Sequence, residues 1–161
     1  LPHFQIANGT SLKPIVTFVE GVAAMKQAVM DTLYIRSRHI DILTPKDNFF
    51  WQVGQPFAQS YIDERVHRKI TTRNLWEESL KPELLTRSYQ GLSTIRLLPK
   101  RMHGTFQSTV FIFDQTVMYI SSIKAANILR VDSEEHASLM RSMFEGIWLS
   151  STELSAKQKR K

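Results

Sequence analysis

The stretch QSTVFIFDQTVMYISSIKAAN, residues 107–127, decides how this chain is read. On either side of Asp114 and Gln115 it carries β-branched and aromatic residues in two short runs, STVFIFD and TVMYIS. The two polar residues between them suit a tight reversal. The reading is a β-hairpin with Asp114 at its tip. Downstream, NILRV makes one more short strand and DSEEHASLMRSMFEGIWL follows as a helix. Asp132 or Ser133 caps that helix and acids occupy its first turn, where the helix dipole favours negative charge. Ala137, Met140, Phe144, Ile147 and Trp148 recur along it as one apolar stripe.

Toward the N-terminus, LSTIRLLP reads as a strand and EESLKPELLTRSY, residues 77–89, as a helix broken or begun near Pro82. ITTRNLW is another strand. AQSYIDERVHRK sets Tyr61, Ile62 and Val66 at helical spacing with charges between them, so it reads as an amphipathic helix. Its end, with Arg65, Arg68 and Lys69 near the negative pole of the dipole, reads as solvated. The aromatic run NFFWQVGQPF, with Gly54 and Pro56, reads as an irregular packed loop, and HIDILTP as a strand ended by Pro45. PIVTFVE alternates as a strand should, Glu20 and Gly21 make the turn, and VAAMKQAVMDTL sets Val22, Met25, Val29 and Leu33 along one helical face. Strands alternating with helices predict an α/β fold with a mixed β-sheet flanked by helices. The domain is expected over residues 14–149, between a leading linker at 1–13 and a basic disordered tail at 150–161.

A length of 161 residues with 42% hydrophobic and 22% charged content suits one globular domain with a full core and excludes disorder over most of the chain. No apolar run approaches the ~18 to 20 residues of a membrane span, and LPHFQIANG lacks the layout of a signal peptide. The expectation is a soluble, cytoplasmic protein without membrane contact. The absence of cysteine excludes disulfides, cysteine nucleophiles and thiolate metal sites, and agrees with a reducing compartment. Leu1 in place of Met reads as a domain excised from a longer chain. The net charge of +6 points toward nucleic acid, but four of the cations lie in the terminal KQKRK, and the remainder is nearly balanced. No cofactor is expected, because no G-x-G-x-x-G or Walker sequence occurs. His3, His39, His67, His103 and His136 lack the spacing of a metal site.

The order of these elements and several phrases together resemble the TrmB family of archaeal and bacterial transcription regulators, specifically the phospholipase-D-like domain behind their DNA-binding part. The phrases are KPIVTFVEG before a helix ending in DTL, YIDERVHRKITTR, IRLLPK, TVFIFDQTVMYIS and DSEEHASLMRSMFEGIW, spanning Lys13 to Trp148. The resemblance implies a phospholipase-D-like half-domain that senses an effector, dimerises, or both. Nothing in the chain resembles the family's winged helix-turn-helix, so DNA is expected only through a domain outside this sequence. The further lobe that follows this domain in sugar-sensing members is also absent, which sets sugar binding in question.

Active phospholipase-D-like enzymes carry H-x-K-x4-D-x6-G-S-x-x-N, in which histidine attacks phosphorus and lysine stabilises charge on the phosphoryl oxygens. Anchored on Asp114, this frame puts Gln107 at the histidine and Thr109 at the lysine. Ser121 replaces the glycine, Ser122 keeps the serine, and Ala125 replaces the asparagine. Gln107 is no nucleophile and Thr109 carries no charge, so the resemblance implies a scaffold and not an enzyme. Gln107, Thr109, Asp114, Ser121 and Ser122 are candidates for binding an uncharged ligand, such as a sugar. The alternatives are ordinary polar strand positions and, for Asp114, a turn former. Glu20 and Gly21, at a strand-to-helix turn, are further candidates for holding a ligand at the helix N-terminus.

A rival frame, His67, Lys69 and Asn74 as H-x-K-x4-N, is set aside because His67 ends a helix where the motif needs a strand. The leading expectation is therefore a non-catalytic, homodimeric, effector-sensing or dimerisation domain of a TrmB-like regulator. The alternatives are a single-motif phosphodiesterase or nuclease using His67 or His103, and a basic nucleic-acid-binding module using the tail and residues 100–103.

Overall fold

The structure is a computed structural model and describes residues 13–77 and 91–153. Among these residues eight strands form one sheet: β1 (Ile15–Glu20), β2 (His39–Thr44), β3 (Thr71–Trp76), β4 (Ser93–Leu97), β5 (Thr109–Phe113), β6 (Thr116–Ile120), β7 (Asn127–Asp132) and β8 (Thr152–Glu153). Their order is β1-β7-β6-β5-β2-β3-β4-β8. The pairs β2–β3 and β3–β4 are parallel and the rest antiparallel, so the sheet is mixed, as expected.

Helices cover both faces. Helix α1 (Val22–Asp31) starts where Gly21 takes φ 92°, and buries Met25 and Val29. With α2 (Phe49–Val53) and α3 (Gln55–His67) it covers a core containing Ile40, Ile42, Phe111, Met118 and Ile128. Phe50 sits at the centre of that core's aromatic group, stacked on Phe111 at 6.0 Å and 5.2 Å from Tyr61. Burial pushes the Tyr61 phenol up to about 12, opposed by its hydrogen bond with Thr32 and the nearby Arg65 charge. The opposite face lies under α4 (Glu134–Ser150), where Phe144 and Ala137 pack on Leu43, Leu75, Ile112 and Val117. Ser133 is the cap of α4, its hydroxyl accepting from His136 N–H at 3.3 Å. Asp132 stays in β7, where Arg130 and Thr116 bond its carboxylate.

Three expectations change. The aromatic run is helical over Phe49–Val53 where a loop was expected. Asn48 caps it by accepting from Trp51 N–H at 3.1 Å, and Gly54 at φ 101° ends it and admits Pro56 into the first turn of α3. Arg65 is buried, not solvated: it donates to Ile70 O at 2.6 Å and to Ser93 Oγ at 2.9 Å, behind α3. Residues 151–153, expected to open the tail, are ordered. Ser151 is buried and Thr152–Glu153 pair with Leu97 and Arg96. The helix expected over 77–89 lies, apart from Glu77, outside the described residues, as do nearly all of the leading linker and the terminal KQKRK. No described helix is long and apolar enough to cross a membrane.

Candidate functional site

The hairpin of β5 and β6 places the candidate residues through its register. Thr109 opens β5 opposite Ile120, the last residue of β6, so Gln107 just before and Ser121 and Ser122 just after lie together at one end. Gly21 joins them: its N–H donates to Ala126 O at 2.8 Å, and Glu20 pairs with Asn127. Leu43 pairs with Val110, so the ladder carried one residue further sets the end of β2 beside Thr109. The cluster therefore sits at the carboxyl ends of the parallel strands, where open α/β sheets form their clefts.

Gln107 is exposed in the loop before β5. Thr109 is 1% exposed and, by strand alternation, shares the face of Phe111 and Phe113. Its hydroxyl has no hydrogen-bond partner, which at a buried position costs about 1 to 3 kcal/mol. Ser121 and Ser122 spend their hydroxyls locally. Ser121 Oγ donates to Ser122 O at 3.0 Å and accepts from Asn127 N–H at 2.8 Å, while Ser122 Oγ accepts from Ala125 N–H at 3.4 Å. From α2, Gln52 reaches across and accepts from Ile123 N–H at 2.7 Å, locking the helix to this loop. The sequence reading missed Gln52 and the capping Asn48. A polar residue inside an aromatic run is the signal both leave.

Asp114 is not part of the cluster. It occupies the hairpin turn at the opposite end of the strands, at φ 46°, where its carboxylate accepts Arg36 N–H at 3.0 Å and Ser37 N–H at 2.9 Å. Burial raises its pKa, but those two backbone hydrogen bonds, with the Arg36 charge, outweigh burial and hold the carboxyl below its ordinary range. Arg141 of α4 donates to the Asp114 carbonyl.

The histidines do not assemble a second site. His67 ends α3, Lys69 lies in the following turn at φ 56°, and Asn74 is buried on β3 donating to Thr72 Oγ1 at 2.8 Å, so the rival frame does not converge. His103 Nε2 faces Leu98 O at 3.1 Å, and since a carbonyl only accepts, that nitrogen carries its proton. His39 lies between Thr71 Oγ1 at 2.8 Å and Asp41 Oδ1 at 2.9 Å, and Arg73 grips the same carboxylate at 2.8 and 2.9 Å. Burial raises the Asp41 pKa, but the His39 and Arg73 bonds and charges overcome it and leave the carboxyl lowered. Arg73 also pairs with Glu145 at 2.6 Å and lies over the Phe144 and Trp148 rings, so this network ties β2 and β3 to α4. Among the described residues no group of histidines and acids has the arrangement of a metal site. A groove of about 870 Å³ between α1 and α3, lined by Gln27, Met30, Tyr34, Gln59, Asp63 and His67 among others, includes His67 of the rival frame and none of the hairpin-end candidates.

The side chains gathered at the hairpin end, Gln107, Thr109, Ser121 and Ser122, are polar and uncharged. Gln107 and Thr109 supply neither a nucleophilic nitrogen nor a cation for phosphoryl oxygens.

The fold is that of a phospholipase-D-like domain. Nuc from Salmonella typhimurium, a phospholipase D family member, superposes with a TM-score of 0.61 at 13% identity, over 89% of this chain and 100% of Nuc. NucT from Helicobacter pylori gives 0.60 at 14% identity, over 88% of this chain and 100% of NucT. TrmBL2, an archaeal chromatin protein with a novel mode of DNA binding, gives 0.61 at 18% identity over 92% of this chain. The present chain spans 57% of the length of TrmBL2. No protein-family profile and no curated protein sequence matches the chain.

Proposed function

We propose that this chain is a non-catalytic phospholipase-D-like domain of a cytoplasmic, TrmB-like, DNA-associated regulator, which pairs with a second copy of itself and receives a small uncharged effector at the open end of the β5–β6 hairpin. The observation that carries the reading is the combination at Thr109. It stands where the resemblance puts a phosphate-binding lysine, it is buried, and its hydroxyl is left without a partner that a ligand would supply. The likeness to TrmBL2, over most of this chain and little more than half of that one, supports an arrangement in which DNA is held mainly by another part of the polypeptide.

Pairing is supported by an exposed apolar strip on the α4 side of the sheet. Val16 and Phe18 on β1 are each 61% exposed, and Phe18 lies against the partly exposed Leu129 of β7. Next in the ladder is Tyr119, whose hydroxyl meets His136 Nε2 at 2.9 Å, and Leu139 and Met143 follow His136 along α4 with more than half their surface exposed. A contiguous apolar patch of this kind on a small domain marks an interaction surface.

The test is a thermal-shift screen of the wild-type chain and Thr109→Val against sugars, sugar phosphates and nucleotides, since a ligand of the folded state raises stability by RT ln(1 + [L]/Kd). Thr109→Val is expected to melt higher than wild type without ligand, by about 1 to 3 kcal/mol, and to lose the ligand shift. No shift with any compound removes the effector from the proposal. Hydrolysis of bis(p-nitrophenyl) phosphate that disappears in His67→Ala or His103→Ala overturns the non-catalytic reading.

A further inference from the structure

At the end of the sheet opposite the Thr109 cluster, three loops meet. Residues 35–38 lead into β2, residues 68–70 lead into β3, and the Asp114–Gln115 turn joins β5 to β6. They are tied to one another: Asp114 accepts Arg36 and Ser37 N–H, and Arg38 O accepts Thr71 N–H at 2.9 Å. These loops present Arg36, Arg38 and Lys69, all exposed, and none of the three has an ion-pair partner among the described residues. Of the carboxylates at this end, Glu64 is occupied by Arg68 at 2.6 Å, Asp132 by Arg130 at 2.9 Å and Asp114 by the two backbone N–H groups with the Arg36 charge nearby, while Glu134 and Glu135 open α4 beside the Gln115 turn. The Arg68 guanidinium lies 4.2 Å from the centre of the Tyr34 ring, a side chain that is itself 73% exposed.

The backbone makes this more than scattered surface charge. Among the described residues four non-glycine residues have positive φ, and three of them, Arg38 at 51°, Lys69 at 56° and Asp114 at 46°, converge here. The left-handed conformation is disfavoured for side chains other than Asn or Asp, and glycine is the residue it suits. Asp114 is explained by its clamp. Arg38 and Lys69 have no such role, since what holds their turns is main-chain hydrogen bonding, Thr71 N–H to Arg38 O and Lys69 N–H to Val66 O at 2.9 Å, which glycine would make equally well. Local stability therefore favours glycine at both positions, and the chain carries a cation at each.

We infer that this end of the sheet is a second, electrostatic contact surface for nucleic acid, in which Arg36, Arg38 and Lys69 engage successive phosphates of a duplex backbone. Three exposed cations with no ion-pair partner among the described residues, on loops fixed by hydrogen bonds to neighbouring strands, concentrate positive charge at this end, and phosphate contacts of this type carry sequence-independent affinity. An anionic membrane is the less suitable partner, because interfacial binding draws on a buried apolar face, whereas polar and charged groups dominate these loops. The surface lies at the other end of the strands from Thr109, so it stands or falls independently of the effector site.

The experiment is fluorescence anisotropy of a labelled duplex of about 20 base pairs with the full chain, from about 20 to 200 mM salt, for wild type and the double variant Arg38→Gly with Lys69→Gly. Each phosphate contact contributes about 0.9 to the slope of log K against log salt. The double variant is therefore expected to flatten the slope by about 1.8 and, near 0.1 M salt, to bind about 60-fold more weakly. Its melting temperature should equal or exceed that of wild type, so weakened binding cannot be ascribed to unfolding. Unchanged affinity and slope in the double variant, no duplex binding by wild type at low salt, or tighter binding to phosphatidylserine vesicles than to the duplex would each overturn the inference.

Discussion

Replacing Asp114 tests how the hairpin turn is held. The side chain forms two hydrogen bonds to backbone N–H groups 77 and 78 residues away in the chain, at 2.9 and 3.0 Å. At an exposed site each contributes about 1 kcal/mol, so removing both costs about 2 kcal/mol. Alanine at φ 46° adds about 1 kcal/mol of backbone strain, which glycine avoids and asparagine largely avoids. The Arg141 bond goes to the main-chain carbonyl and survives every substitution. The expected losses are therefore about 3 kcal/mol for Asp114→Ala, about 2 for Asp114→Gly and about 1 for Asp114→Asn, whose amide oxygen keeps one acceptor. At about 2 to 4 °C per kcal/mol for a chain of this size, Asp114→Ala should melt about 6 to 12 °C lower. The folded carboxyl pKa is lowered, so its contribution is complete above the ordinary value near ~3.9 and is lost as pH falls through the folded value. The gap between wild type and Asp114→Asn should accordingly close under acid. Calorimetry across pH reads all of this. Asp114→Ala within about 0.5 kcal/mol of wild type, or Asp114→Gly less stable than Asp114→Ala, would refute the clamp.

Arg65→Ala should cost at least about 2 kcal/mol in denaturant unfolding, because Ile70 O and Ser93 Oγ lose a buried donor. Asp41→Asn should cost about 3 kcal/mol at neutral pH by leaving Arg73 and His39 poorly matched. Because the Asp41 pKa is lowered, that deficit should shrink below pH ~4, and a deficit independent of pH would exclude the charge as its cause. Phe18→Lys should leave the melting temperature of the monomer within a few degrees and abolish self-association measured by light scattering. A dimer that persists would place the pairing surface elsewhere.

What was legible in the sequence was whatever repeats over several residues. The two β-branched and aromatic runs flanking Asp114 yield the hairpin, and the spacing of Ala137, Phe144 and Trp148 with the Ser133 cap yields α4. Helix α2, at five residues, is too short to show a period, although its Asn48 cap and Gly54 stop were present as local signals. β8 has two residues and no pattern at all. Arg65 reads as solvent-facing by polarity, and its burial becomes visible only once Ile70 and Ser93 close over it. At the site the same divide holds. That Thr109 and Ser121 are neighbours follows from the hairpin register, which a local turn sets. That Gly21 meets Ala126, and that Asp114 serves a loop before β2, depends on long-range pairing that no local window contains.

The place of β1 bears on how the chain acquires its structure as it is made. Among the described residues its one partner strand is β7, and Ile15 pairs with Asp132, 117 residues later. At about 5 to 20 residues per second, synthesis leaves β1 waiting on the order of ten seconds for that partner, with Ile15, Val16 and Phe18 free to pair wrongly. Strands β2 and β3 can pair as soon as α3 is complete, so the sheet grows outward from its middle and this edge closes late. Within this domain the exposure to aggregation during synthesis is therefore concentrated in β1, and conditions that slow translation should lengthen it.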